Sequence, residues 1–289
     1  METNNIFSFR RFGKYLVSDL KRCIANFGLS FLVISLTGLI CYLLVGVVSY
    51  VSGAGWVSSN ALARSLYLWI AFAILVVAMP SKCYGFITDR KLGSNWLMLP
   101  VSTVEKFLSM LINCLVIIPS AFFLCSFAID WLITAIDPQL HSTIIGSGME
   151  LFDVIVAKAS EESEVNALLT NFITENNIIF SAIDDSMILI LAFLLGAILF
   201  KSQKATKTIL AWFGIGTLLS IILTPVAIML VGSFDLDTLN ALNSGDIEAV
   251  TTFAQDFISS AMKFDTIFDV TLLLGMEAAI FMRLKTIKH

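Results

Sequence analysis

Six long runs of apolar residues dominate this sequence and leave few folds open to it. They occupy approximately residues 27–50, 65–87, 107–130, 178–200, 208–232 and 264–283. Each run is long enough to cross the roughly 30 Å hydrocarbon core of a bilayer as an α-helix. The composition agrees, since 57% of the residues are hydrophobic and only 14% are charged, whereas a soluble domain carries about 25% charged residues. The sequence therefore predicts an all-α polytopic membrane protein, with six transmembrane helices forming one domain over residues 1–289.

The cations between the runs predict which side of the membrane each segment faces. Of the 18 Lys and Arg residues, all but Arg64, Lys158 and Lys263 lie in the N-terminal segment, residues 82–106, residues 201–207 or the C-terminal segment. Loops rich in Lys and Arg stay in the cytoplasm. We therefore expect both termini to be cytoplasmic in a multi-pass protein of the bacterial inner membrane.

The segment before the first run predicts a cytoplasmic amphipathic helix within residues 1–26. Phe9, Phe12, Leu16 and Leu20 recur at helical spacing, and most of the cations lie elsewhere around the helix. Such a helix can lie on the inner leaflet and contact membrane lipids. A simple anchor that sets the orientation of the first span is the equal alternative.

Two segments on the predicted outer side, residues 137–177 and 233–263, are rich in Asp and Glu and have helical patterns. We expect them to form two outer helical segments. Their acidic faces are interpreted as solvated surfaces, because neither segment has the spacing of a calcium-binding loop.

The usual signatures of catalysis are absent from the sequence. The two histidines, His141 and His289, are predicted to lie on opposite sides of the membrane, which excludes a His-based metal site or triad within one subunit. The single Gly-Lys pair, Gly13-Lys14, is followed by Tyr15, so there is no phosphate-binding loop. We therefore predict a protein that is not an enzyme, needs no cofactor and binds no nucleic acid.

A polar stretch of unusual composition, residues 88–106, separates the second run from the third. Within it, the sequence from Ser102 to Glu105 fits a capping box, in which each of the two side chains accepts a hydrogen bond from the other residue's backbone N–H. Pro100 keeps the preceding residue extended, so the third span is predicted to begin at Ser102. Residues 93–99 are expected to form a short turn or helix. The simplest interpretation is a well-capped connector.

The pattern LPVSTVEKF, residues 99–107, resembles the equivalent loop in permease subunits of type-2 ABC exporters, and among them a Bacteroides-type group. The resemblance extends to the amphipathic N-terminal helix, the six spans and the outer helices. It implies a separate ATPase subunit that docks on residues 88–106, and a dimer with a second copy or with a sister permease. The residues that the resemblance assigns to this coupling contact are Arg90, Lys91, Trp96, Pro100, Ser102, Glu105 and Lys106.

Charged residues inside the runs are the other candidates for function. Glu277 lies a few residues from the middle of the sixth run, where a carboxylate is costly and is a functional hypothesis by default. The alternative is a structural hydrogen bond to a neighbouring helix. Asp130 lies near the outer end of the third run, where we expect water to reach it. Pro119 and Pro225 are each expected to kink a span.

Three functions are compatible with these features. The resemblance favours the permease subunit of an ABC exporter. Glu277 would suit an ion-coupled transporter or channel. A membrane scaffold, sensor or immunity protein that transports nothing is the third possibility.

Overall fold

The computed structural model describes residues 7–150, 178–232 and 247–287, in which all regular structure is helical. The nine helices named here are α1 (Phe9–Ser35), α2 (Thr37–Val51), α3 (Ala61–Tyr84), α4 (Arg90–Leu97), α5 (Thr103–Leu111), α6 (Ile118–Ile136), α7 (Ile178–Leu199), α8 (Lys204–Gly232) and α9 (Ile247–Thr286). A 3₁₀ helix, Gly85–Thr88, follows α3, and a π-helix, Ile112–Ile117, joins α5 to α6. The predicted all-helical fold class is confirmed for the described residues.

Four helical stretches in the described part of the chain are long and apolar enough to cross a membrane. They are Phe9–Val51, Ala61–Thr88, Thr103–Ile136 and Lys204–Ile222. They contain the first, second and third predicted spans and part of the fifth. The fourth and sixth predicted spans coincide with α7 and with the second half of α9, so the count of six stays a prediction. Many apolar side chains on these helices are exposed, including Leu29, Leu124 and Leu210, as expected of surfaces that face lipid.

The predicted N-terminal helix does not end before the first run. It continues as α1 to Ser35 and then, after a single non-helical residue, as α2. Its buried face consists of residues at a spacing of four, namely Tyr15, Asp19, Cys23 and Phe27, which therefore share one side of the helix. This face packs on α3 and α5.

The apolar stripe predicted for this helix is only partly buried. Phe9 is 83% exposed, and Phe12, Leu16 and Leu20 are half-buried. The inward face is rotated away from the stripe, because it is centred on Asp19, whose carboxylate binds hydroxyl groups of α3 and α5 and an amide group of the π-helix. Contact of the exposed side with lipid stays a prediction.

The third predicted span contains a local change of helix type beside Pro119. Pro119 lies in the first turn of α6, directly after the π-helix Ile112–Ile117. Proline has no N–H to donate, and its ring crowds the carbonyl four residues earlier. The wider π turn accommodates both defects without breaking the helix.

The predicted outer helix after residue 233 and the sixth span are one continuous helix of 40 residues, α9. Residues 233–246, the first part of that predicted outer segment, lie outside the described residues. Of the other outer segment, residues 144–150 are helical, and residues 151–177 lie outside the described residues.

The described residues fall into two compact units. The first comprises residues 7–150, 189–205 and 276–287, and the second comprises residues 178–188, 206–232 and 247–275. The core of the first unit is formed by fully buried apolar side chains of α3, α5 and α6, among them Leu75, Val76, Met79, Met110 and Phe122. All the polar sites described below belong to this first unit.

Candidate functional site

The predicted coupling stretch consists of a short helix, α4, and a turn that leads into α5. Ser102 is the N-cap of α5, and its Oγ accepts a hydrogen bond from the Glu105 backbone N–H at 3.2 Å. In return, Oε2 of Glu105 accepts from the Ser102 backbone N–H at 3.0 Å. The capping box and the helix start at this position are thus confirmed. So is the short helix before it, which begins at Arg90 and ends at Leu97.

Glu105 does more than complete the cap. Its side chain is fully buried and also accepts hydrogen bonds from α1. Arg11 donates from Nε to Oε2 and from Nη2 to Oε1, each at 2.8 Å, and the backbone N–H of Ser8 donates to Oε1 at 2.8 Å. One carboxylate therefore ties the beginning of α5 to the beginning of α1, 94 residues away in sequence. We call Ser8, Arg11, Ser102 and Glu105 the Glu105 cluster.

Trp96 and Lys106 also point into the protein. Trp96 is 3% exposed, and its Nε1 donates to the Tyr15 hydroxyl of α1 at 2.9 Å. The Lys106 ammonium donates to the Trp96 carbonyl at 3.0 Å and lies 4.8 Å from the centre of its ring, within the range of a cation–π interaction. These two residues hold α4 against α1 and α5.

The exposed residues of the stretch include Asp89 and Asn95, and the turn after α4 exposes three apolar ones. Met98 is 82% exposed, Leu99 is 40% exposed, and Pro100 is exposed as well. We call these three residues the apolar tip. The side chains of Arg90 and Lys91 lie outside what the structure describes. Of the seven residues that the resemblance singled out, Trp96, Glu105 and Lys106 are therefore buried supports, whereas Pro100 is on the surface.

A second buried carboxylate, Asp19, binds α1 to its neighbours. Its Oδ2 accepts from the Tyr84 hydroxyl at 2.8 Å, from Ser109 Oγ at 2.9 Å and from Asn113 Nδ2 at 3.0 Å. Its Oδ1 accepts from Arg22. The donors come from α3, α5 and the π-helix, so Asp19 fixes the packing of four helical segments at once.

Sequence reasoning missed Asp19, although two signals were available. Asp19 is the single acidic residue within the otherwise basic stretch 7–26. It also follows Tyr15 and precedes Cys23 at a spacing of four, which places it on the buried face. Cys23, Cys83 and Cys114 are buried with free thiols. In the described part of the chain, no group of three or more His, Cys, Asp or Glu side chains is placed to hold a metal ion.

Toward the carboxyl end of α6, a buried ion pair joins α3 to α6. Nη1 of Arg64 donates to Asp130 at 2.6 Å and to the Thr134 hydroxyl at 3.1 Å, and Nη2 donates to the Ser142 carbonyl at 2.6 Å. The second oxygen of Asp130 accepts from the Ile144 backbone N–H at 2.7 Å. We call these five residues the Asp130 cluster.

The expectation that water reaches Asp130 is wrong. Asp130 is 5% exposed and Arg64 is 4% exposed. The reason is that Arg64 supplies the charge compensation that water was expected to provide, and residues 142–144 fold over the pair.

Asp137 forms a smaller polar group just beyond α6. It accepts from the Tyr42 hydroxyl of α2 at 2.5 Å, from the Ser58 hydroxyl, and from the Gln139 backbone N–H at 2.9 Å. These bonds stabilise the charged form, with the largest contribution from Ser58, and so lower the pKa of Asp137 below its ordinary value of 3.8.

Glu277 is half-buried in α9. Among the described residues it has no hydrogen-bond or ion-pair partner, so the alternative of a structural hydrogen bond finds no support there. The functional interpretation of this carboxylate stays a hypothesis.

Comparison of the chain with protein-family models, with curated proteins and with solved structures finds no match.

Proposed function

We propose that the chain is the membrane-spanning permease subunit of an ABC-type exporter, driven by a separate ATPase subunit that docks on residues 88–106. The observation that carries this proposal is the apolar tip, which lies between two buried anchors, Trp96 of α4 and Glu105 of α5. The subunit works as a dimer with a second copy or with a sister permease in the bacterial inner membrane.

An element that transmits force must be rigid at its base and must offer a surface to the partner. The base is provided by two independent links to α1, namely Trp96 with Tyr15 and Glu105 with Arg11. Lys106 of α5 also donates a hydrogen bond to the Trp96 carbonyl of α4 and so joins the two helices. The surface is provided by Met98 and Leu99, whose exposure costs hydrophobic free energy that a docked partner would recover.

The same proposal places six spans in the membrane and both termini in the cytoplasm. Its support is the four candidate spanning helices and the distribution of Lys and Arg. Single cysteines introduced into a cysteine-free background test it. Ser160→Cys and Gly245→Cys are expected to react with an impermeant thiol reagent in intact cells, and Ser94→Cys is not. Labelling of Ser94→Cys in intact cells would contradict the proposed topology.

The docking surface is tested by co-purification with the ABC ATPase subunit that the proposal requires. Met98→Asp combined with Leu99→Asp is expected to reduce recovery of the ATPase at least tenfold, because charged groups replace the apolar contact. The matched control is Met149→Asp, at a methionine that is 65% exposed on the predicted outer side. Equal recovery with wild type, tip variant and control would show that residues 88–106 only connect two helices.

Two further variants separate docking from coupling. Arg90→Glu combined with Lys91→Glu is expected to weaken ATPase association without changing the topology. Ser102→Ala is expected to keep association and expression but to lower transport per ATP hydrolysed, since it loosens the start of α5 without altering the tip. An uncoupling effect no larger than the loss of expression would contradict the second expectation.

Glu277 supports a second candidate function, an ion-coupled transporter, because it is a half-buried carboxylate without a partner among the described residues. Proton-coupled flux that needs no ATP and disappears in Glu277→Gln would favour this function. If purified protein shows neither ATP-driven nor proton-driven flux and binds no ATPase, a scaffold, sensor or immunity role is left.

A further inference from the structure

A large cationic cavity lies in the first unit, away from the apolar tip. Its volume is about 940 Å³, and its walls come from the 3₁₀ helix after α3, the turn before α8 and the last turn of α9. The charged side chains among its lining residues are Lys201, Lys204, Arg283 and Asp89. The hydroxyls of Thr88 and Thr286 are the other polar side-chain groups in the lining.

The electrostatics of this cavity favour an anion. Three cations against one carboxylate leave a net charge of plus two on the side chains. The carboxyl end of α9 contributes about half a negative charge, and the amino end of α8, at Lys204, contributes about half a positive charge. These two dipole contributions cancel to first order, so the side chains determine the sign.

One of the cations is placed before any ligand arrives. The Lys204 ammonium donates to the Gly85 carbonyl and to the Thr88 hydroxyl, the latter at 2.6 Å, which fixes its position on the wall. Arg283 is half-buried, and its Nε is buried without a hydrogen-bond partner among the described residues. A buried donor without an acceptor is uncommon in a folded protein, and here it belongs to a residue that lines the cavity.

We propose that this cavity binds the phosphate group of a phosphate ester, with Arg283, Lys201 and Lys204 as the binding residues. The planar guanidinium of arginine matches a phosphate with two parallel hydrogen bonds, and lysines add compact positive charge. The volume lies in the range of small-molecule sites, about 300–1,000 Å³, and is far larger than a bare phosphate ion needs. The ligand is therefore a phosphate that carries an organic group.

Two sources offer this chemistry, an anionic phospholipid headgroup and a soluble phosphate ester. Basic pockets between membrane helices on the cytoplasmic side suit anionic headgroups. The inference does not depend on the proposed function, because it is argued from the charges and geometry of the cavity alone, although Thr88 and Asp89 of the proposed docking stretch line it.

The test uses the full chain in nanodiscs of phosphatidylcholine alone or with 20% phosphatidylglycerol. Native mass spectrometry counts the retained phosphatidylglycerol, and a separate arm titrates glycerol 3-phosphate into the phosphatidylcholine nanodiscs by calorimetry. The variants are Arg283→Gln and Lys201→Gln. The matched control is Lys285→Gln, because Lys285 is exposed on the same helical turn as Arg283 but does not line the cavity. Arg283→Lys keeps the charge and shows whether the fork of donors matters.

We expect each of the two cavity variants to weaken binding about fivefold, which is the typical contribution of one basic residue near an anionic lipid surface. The control is expected to bind like wild type. Arg283→Lys is expected to fall between wild type and Arg283→Gln. Retention of phosphatidylglycerol with this pattern identifies the lipid as the source, and titration of glycerol 3-phosphate with the same pattern identifies a soluble ester. No binding in either arm, or an equal loss in Lys285→Gln, would overturn the proposal. Circular dichroism and size-exclusion profiles like those of wild type show that each variant is folded.

Discussion

The Glu105 cluster and the Asp130 cluster both join an arginine to a buried carboxylate on the same helical stretch, yet they differ in how far water reaches them. In the Glu105 cluster, the Arg11 side chain is 31% exposed while the carboxylate is fully buried. In the Asp130 cluster, the side chains of both Arg64 and Asp130 are less than a tenth exposed.

This difference determines what happens when each contact breaks. Arg11 can exchange its carboxylate for water, because its guanidinium already touches solvent. Arg64 has no such exchange available, and a buried charge left without its partner is costly. We therefore expect the Asp130 cluster, whose opening would leave two buried charges without partners, to be a permanent joint between α3 and α6. The Glu105 cluster would leave only Glu105 buried without a partner, so we expect it to be the joint that can open between α1 and α5. A joint that can open suits a segment proposed to receive a moving partner.

The largest effect is expected from breaking the permanent joint. Asp130→Ala leaves the Arg64 guanidinium buried and uncompensated, and should lower the free energy of unfolding by about 3–5 kcal/mol. Thermal unfolding in detergent measures the loss, with Asp185→Ala as the control because Asp185 is an exposed acid in α7. A double variant, Arg64→Met with Asp130→Leu, should cost less than the single variant. If Asp130→Ala is as stable as Asp185→Ala, the ion pair of Arg64 and Asp130 does not hold α3 and α6 together.

A smaller loss is expected at the joint that can open. Glu105→Gln removes the charge that Arg11 and two backbone N–H groups share, and should cost about 1.5–3 kcal/mol, the range for hydrogen bonds to a charged group. Hydrogen exchange should rise in the first turns of α1 and not at Asp130. Glu277→Gln is the matched control, since Glu277 has no partner among the described residues. If hydrogen exchange in α1 is unchanged, Glu105 does not stabilise the first turns of that helix.

The two helix caps provide a finer comparison. Ser102 caps α5 within the Glu105 cluster, and Asn60 caps α3 with a hydrogen bond from the Ala63 N–H at 2.9 Å. Replacing a cap by alanine costs about 0.5–2 kcal/mol. The cost of Ser102→Ala should fall near the top of that range, because Glu105 also loses a residue that holds its side chain in place. The cost of Asn60→Ala should fall near the bottom, because its hydrogen bond is exposed. The reverse order in chemical denaturation would show that Glu105 holds its position without the cap.

The smallest effect is a pH dependence at Asp137. Its pKa is lower in the folded protein than its ordinary value, so its contribution to stability is present above about pH 4 and is lost as the pH falls through the folded value. The melting temperature of wild type should exceed that of Asp137→Asn at pH 6, and the difference should shrink below about pH 4. A constant difference across this range would mean that the contribution of Asp137 to stability does not depend on its charge.

Local chemistry explains which features could be predicted from the sequence. The capping box at Ser102 and the short helix before it follow from neighbouring residues, so reading them required no tertiary information. The long apolar runs likewise predict helices wherever they occur. The distant partners of Glu105, Asp19 and Asp130, namely Arg11, Tyr84 and Arg64, could not be predicted, because each lies 65 or more residues away in sequence. A single sequence shows that these carboxylates are expensive to bury, but not which distant donors compensate them.

The π-helix has a consequence for helical phase. A π turn behaves as an α-helix that has gained one residue, and each residue of an α-helix advances the face by about 100°. Were Ile112–Ile117 an ordinary α-helix with the same number of residues, α6 would be rotated by about that angle against α5, and Asp130 would turn away from Arg64 while Glu105 still met Arg11. The π turn absorbs the surplus residue, so deleting one residue there, such as Val116, which is 55% exposed, should give an ordinary α-helix and leave Asp130 facing Arg64. The wide turn is thus what keeps two distant carboxylates in phase with their arginines along a single span.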